Sequence, residues 1–167
     1  MLFRSGLGSV VAILSTITGL LNAGGRLAYS SIGDKMKDRN SIYKIILVSE
    51  LVITVIAILT GALNNTAVWA VIIVLALLFT VNAGYGGGFS NLPTLLSDVY
   101  GMGSISSLHG IALSAWAIAG LTGNQVAALI VEKTGNFADI LVFTVIMYAI
   151  AVVIDFFLIK PNKAAKA

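Results

Sequence analysis

The sequence predicts an all-α, polytopic membrane protein with five transmembrane helices. Three observations carry that prediction. The 167 residues are 58% hydrophobic and only 10% charged, whereas a water-soluble domain carries about 25% charged residues. The mean hydropathy is +1.00, and a small soluble fold cannot hide that much apolar surface because so much of any small protein faces solvent. The apolar residues also fall into five runs, and several approach or exceed the roughly 18 to 20 residues needed to cross a bilayer.

The first span is expected over 6–29. It is rich in Val, Ile and Leu and is dotted with Gly6, Gly8, Gly19, Gly24 and Gly25. In lipid, such small residues let helix backbones approach closely. A lone Arg26 lies near its end. A basic loop over 33–41 holds Asp34, Lys35, Lys37, Asp38 and Arg39, and Lys44 follows. The second span, 42–62, contains Glu50, which is costly at that depth unless paired, protonated or turned inward. After a short uncharged turn, the third span covers 67–96. Its second half contains Asn82, Gly84, Tyr85, Gly86, Gly87, Gly88, Phe89, Asn91 and Pro93. That composition predicts weakened helical continuity near mid-membrane, which survives only beside protein or a water-filled cavity and in transporters often marks a binding site.

A second loop, 97–104, leads to the fourth span, 105–131. This span mixes His109, Trp116, Asn124 and Gln125 with small residues, a face suited to burial against other helices. The fifth span, 137–159, has Asp139 near its start and Asp155 near its end. A basic tail over 160–167 carries Lys160, Lys163 and Lys166; it suits contact with anionic lipid.

Charge sets the expected orientation. Lys and Arg cluster in the 33–41 loop and in the tail. With five spans these two segments share a side, which the positive-inside rule makes cytoplasmic. The net charge of +3 is thus a matter of topology, and no pattern suggests a nucleic-acid partner. There is no cysteine, so neither a disulfide nor a thiolate metal site is possible. One histidine and few acids offer no metal cluster. No Ser-His-Asp set has a defensible spacing, and Gly84 to Gly88 lacks the Gly-Lys-Ser/Thr of a phosphate loop. The expectation is a protein that is not an enzyme and uses no cofactor. The start does not read as a signal peptide. Met1-Leu2-Phe3-Arg4-Ser5 resembles a translated sequencing adapter, so native codons are expected upstream of Gly6.

Two sets of residues then carry a family resemblance. Asn22-x-x-Gly25-Arg26, followed by Asp34-Lys35, resembles the end of helix 8 and the following loop of the major facilitator superfamily. Tyr85-Gly-Gly-Gly-Phe89 with Pro93, Asp98, Tyr100-Gly101, His109-Gly110 and Ala115-Trp116-x-x-Ala-Gly120 resembles the oxalate/formate antiporter group, close to the monocarboxylate carriers. The resemblance implies that the chain matches helices 8 to 12 of a twelve-helix carrier, a partial C-terminal domain whose N-terminal half is missing. It departs from the superfamily pattern at Ser30, where a glycine is usual, and at Met36-Lys37-Asp38. Trp116 stands where some oxalate carriers place a second cation, which argues against a dicarboxylate held between two cations.

On this reading, the substrate is a small organic anion, moved by alternating access and driven by a proton or counter-anion gradient. Arg26 is the expected anion anchor, because a guanidinium grips a carboxylate bidentately; the alternative is interhelix pairing, with Glu50 or with the missing half. Tyr85, Trp116 and Phe89 are expected to wall the pocket or to pack as core. Asp34 and Lys35 suit a gate on the cytoplasmic side. His109 could serve proton coupling or simply be hydrogen-bonded at the start of its helix. The rival class is a non-transporting structural or sensory membrane protein; a further alternative is a carrier of a neutral metabolite.

Overall fold

The computed structural model describes residues 2–159, with side chains from residue 8 onward except Val10. The tail at 160–167, including its three lysines, lies outside the described residues. Among these there are five α-helices and no strand: α1 (Leu2–Gly33), α2 (Asn40–Leu59), α3 (Val68–Tyr100), α4 (Ile105–Thr134) and α5 (Ala138–Phe157). All five are long and apolar enough to cross a membrane. The molecule is an all-α polytopic membrane protein.

Three helices, α1, α3 and α4, end further along than the apolar runs predict, while α2 and α5 end earlier, at Leu59 and Phe157. α1 continues to Gly33 and α3 to Tyr100, because a helix satisfies its own backbone wherever lipid supplies no partner, and polar residues near the surface do not force it to stop. Glycine sets two of the ends. α4 stops at Gly135, whose φ of 68° is left-handed and whose N–H donates to the carbonyl of Val131 at 2.8 Å; this is the usual glycine stop. Gly61, at φ 62°, turns the chain after α2.

α3 is the axis of the fold. It packs against α1 on one side, α2 on another and α4 on a third, while α5 lies against α2. The expected interruption around Gly84 to Pro93 does not occur, and the helix runs unbroken through Pro93. Close packing explains the glycines instead. A Cβ on Gly86 would overlap the Asn22 carbonyl of α1, and one on Gly87 would overlap the Tyr29 ring. A Cβ on Gly84 would meet the Glu50 carboxylate of α2. On the facing surface, Gly25 has the Ala83 backbone against it. Close approach also permits interhelical hydrogen bonds: Ser30 donates to Ser90 Oγ at 2.8 Å, and the Tyr43 hydroxyl donates to the Gly88 carbonyl at 2.8 Å.

The interior is small and unusually polar. Ile42, Ile46, Ala57, Ala62 and Ala70 are buried, and so are Asn40, Glu50, Thr54, Asn91 and Asp155. Large apolar side chains point outward, as expected where the solvent is lipid. The buried side chains named here belong to α2, α3, α5 and the turn after α2, and α1 adds the buried Gly25 and Gly33. α4 has none.

Candidate functional site

The expected site residues separate into three places. Tyr85, Phe89 and Trp116 come together. They line a cavity of about 400 Å³ with Tyr43, Glu50 and Tyr148, so that α2, α3, α4 and α5 all contribute to its wall. The Tyr85 and Phe89 rings lie 4.9 Å apart between centroids and tilted, and Phe89 meets Trp116 edge-on at 5.5 Å. Tyr85 is 44% and Trp116 51% exposed, so both rings are open to the surroundings.

Arg26 is not part of that wall. It sits on α1, eight residues before Asp34 and hence about 12 Å of helix rise from the loop. Its side chain is exposed, and its Nε donates to Asn22 Oδ1 one turn back at 3.1 Å. The expected alternative, a pair with Glu50, is not formed among the described residues; Glu50 instead lines the cavity together with Tyr148 of α5. Among the described residues Arg26 has no acidic partner, and both Nη groups remain without one.

The third place is the α1–α2 loop. Asp34 is engaged there and Lys35 is not. Lys35 is exposed, and its backbone N–H bonds Ile32. Asp34 instead accepts from Arg39 Nη2 at 2.7 Å. Arg39 Nε donates to Asp98 near the end of α3 at 3.3 Å, and Nη1 donates to Asn91 Oδ1 at 3.1 Å. Asn91 is wholly buried and is held in turn by its own Nδ2 donating to the Gly87 carbonyl at 2.9 Å. One guanidinium thus ties the loop, α1 and α3 together. Gly33 makes room for it, since a Cβ there would crowd both Asn91 Oδ1 and Arg39 Nη1.

Sequence reasoning missed Arg39 as the organiser, because it reads as one of several loop cations that set topology. The signal available was the pair of carboxylates at loop ends sharing one side, Asp34 and Asp98. It also missed the meeting of Glu50 of α2 and Tyr148 of α5 in one cavity wall. Near the loop end of the same two helices, Asn40 Nδ2 donates to Asp155 Oδ1 at 2.8 Å, and Lys44 lies over the Phe156 ring at 5.0 Å.

His109 is half-buried in the second turn of α4, and its Nδ1 has no hydrogen-bond partner among the described residues. The α4 face expected to be buried is not buried among the described residues: Asn124 and Gln125 are exposed, and α4 has no buried residue. The Asn82 side chain donates within its own helix, to the Leu78 carbonyl at 2.8 Å, while its backbone carbonyl accepts from Asn22 Nδ2 of α1 at 3.5 Å. No group of residues able to hold a metal ion occurs among the described residues.

Comparison with known proteins finds no matching family model, no matching curated protein and no matching solved structure. The functional reading therefore rests on the residues themselves.

Proposed function

We propose that this chain is part of a secondary carrier for a small organic anion, most simply a monocarboxylate, and that Arg26 is its anion anchor. The observation that carries the proposal is the state of the Arg26 guanidinium. It stands on a membrane-crossing helix, with Nε tethered to Asn22 and both Nη groups unbound within the described chain. An uncompensated cation within the hydrocarbon layer is expensive. The tether fixes the orientation of the planar fork and leaves its two outer nitrogens for a carboxylate, the geometry in which arginine binds this group best. A carboxylate ligand supplies both the missing charge and the missing acceptors.

The packing supports a larger carrier. α1 and α4 lie on separate flanks of α3, and both carry glycines with open space around them: Gly8, Gly19 and Gly24 on α1; Gly110, Gly120 and Gly123 on α4. Such faces suit close approach of further helices. In the reading drawn from the superfamily resemblance, a second half of the carrier covers them and closes the passage. Rocking of the halves gives alternating access, with the α1–α2 loop and the tail on the cytoplasmic side. The Arg39 junction then serves as the cytoplasmic fastening, with Asp34 as one of its ligands. A proton or counter-anion drives the flux, and His109, with its unbonded Nδ1, is the group proposed for proton coupling.

The test is uptake of a labelled monocarboxylate by vesicles holding the full-length carrier, with formate, lactate, pyruvate and oxalate as competitors. Competition by the monocarboxylates, and weaker competition by oxalate, is expected. Uptake that ignores all four carboxylates but responds to uncharged metabolites would instead favour the neutral-metabolite carrier.

A further inference from the structure

We infer that the cavity between α2, α3, α4 and α5 is a binding site for a small alkylated ammonium ion, with Glu50 as its counter-charge and Tyr85, Phe89 and Trp116 as its ring faces. Three features of the cavity point to a cationic ligand.

The first is charge. Among the described residues, Glu50 is the only acidic or basic one in the lining, and it is 6% exposed. The remaining wall is aromatic and aliphatic apart from the tyrosine hydroxyls and the glycines. A carboxylate in such surroundings needs compensation. The Tyr43 hydroxyl, also in the wall, is committed to the Gly88 carbonyl. Among the described residues no cationic side chain lines the space; Arg26 stands on α1, outside this lining, and Arg39 is held at the α1–α2 loop.

The second is construction. Gly84 lies directly beneath the carboxylate, where even a methyl group would overlap Glu50 Oε1. The sequence keeps that position bare, so the carboxylate is accommodated by design of the packing and not squeezed in.

The third is the rings. Tyr85, Phe89 and Trp116 form a connected series of ring contacts, and the face of each such ring carries the negative end of a quadrupole. An ammonium whose hydrogens are replaced by alkyl groups suits this wall, because it has an apolar shell, little need for hydrogen-bond acceptors and a full positive charge. The volume of about 400 Å³ falls within the range of small-ligand sites. The half-exposed Tyr85 and Trp116 mark the open side, through which such a ligand enters.

This site is separate from the anion anchor. α3 turns Gly86 and Gly87 toward α1, which carries Arg26, and turns Gly84 toward Glu50. The two sites use different flanks of one helix, so anion uptake and cation binding can fail independently.

The test compares choline with 3,3-dimethylbutan-1-ol, which has the same shape with carbon in place of the charged nitrogen. Both are titrated calorimetrically into the full chain purified in detergent. Choline should bind at least about tenfold more tightly. Glu50→Gln should abolish that preference and leave the alcohol's affinity unchanged. Should Glu50→Gln fail to fold, Phe89→Leu provides the second variant: it should weaken choline several-fold more than the alcohol. Equal affinities in the unmodified chain, binding of neither, or a choline preference that survives Glu50→Gln or is untouched by Phe89→Leu would overturn the assignment.

Discussion

Two arginines in this chain have opposite circumstances. Arg39 is half-buried at the α1–α2 loop and uses all three of its nitrogens, on Asp34, Asp98 and Asn91. Arg26 is exposed on α1 and uses one nitrogen, on Asn22 of its own helix. A guanidinium with every donor satisfied by the fold is a structural tie. A guanidinium held in position with its outer donors free is poised for something outside the fold. The contrast is sharper for their locations, because the satisfied cation sits at the loop end, where water is near, and the unsatisfied one sits within a span, where an unmet charge is costly.

The contrast can be strained from the packing side first. Gly25→Val adds a side chain where the Ala83 backbone already stands. It should separate α1 from α3 and destabilise the fold by about 1–3 kcal/mol or more, as overpacking does. Thermal melting in detergent would register a drop of several degrees; an unchanged midpoint would mean that α1 does not sit on α3 in this way. Next in size is Asn91→Ala. This removes the buried acceptor that fixes Arg39 and should cost about 1.5–3 kcal/mol, the range for hydrogen bonds to charged groups. Chemical denaturation should find it clearly weaker than wild type.

Asp34→Ala should matter less, although the Arg39–Asp34 contact is the shortest of the three. The Asp34 side chain is 67% exposed, and water and salt screen such a pair to about 0–1 kcal/mol. A larger loss for Asp34→Ala than for Asn91→Ala would reverse the ranking of the junction's parts. Smallest of all is Gly24→Ala. It borders Gly25 in sequence but meets open space, so it should leave stability unchanged or raise it by up to about 1 kcal/mol through helix propensity. Adjacent glycines with opposite responses would separate packing from mere composition. On the proposed carrier reading, a Gly24→Ala change that spoils transport without altering the melt would mean that the face it occupies is covered by another part of the protein.

The five spans were legible because length and apolarity fix a membrane helix without reference to its neighbours. Their ends were less so: α1 carries on through Ser30, Ser31 and Gly33, residues that equally suit a loop. The glycines of α3 were legible as special but not as to kind. A run such as Gly84 to Gly88 is the same string whether it loosens a helix or lets two others press against it, and only the positions of Asn22, Tyr29 and Glu50 decide. Among the residues expected at the site, Tyr85, Phe89 and Trp116 do meet. Their meeting with Glu50 and Tyr148 joins helices far apart in sequence, and spacing cannot reveal it. Arg39 was hidden in plain view, since one cation in a basic loop looks like the others until Asn91 and Asp98 are folded beneath it.

The most direct test sets the two arginines against each other. Arg26→Ala and Arg39→Ala are each placed in the full-length carrier proposed above, and monocarboxylate uptake is measured per molecule in the membrane. We predict that Arg26→Ala keeps normal abundance and loses uptake, while Arg39→Ala lowers abundance or thermal stability and leaves some uptake in the molecules that remain. Normal uptake by Arg26→Ala at normal abundance would contradict the account.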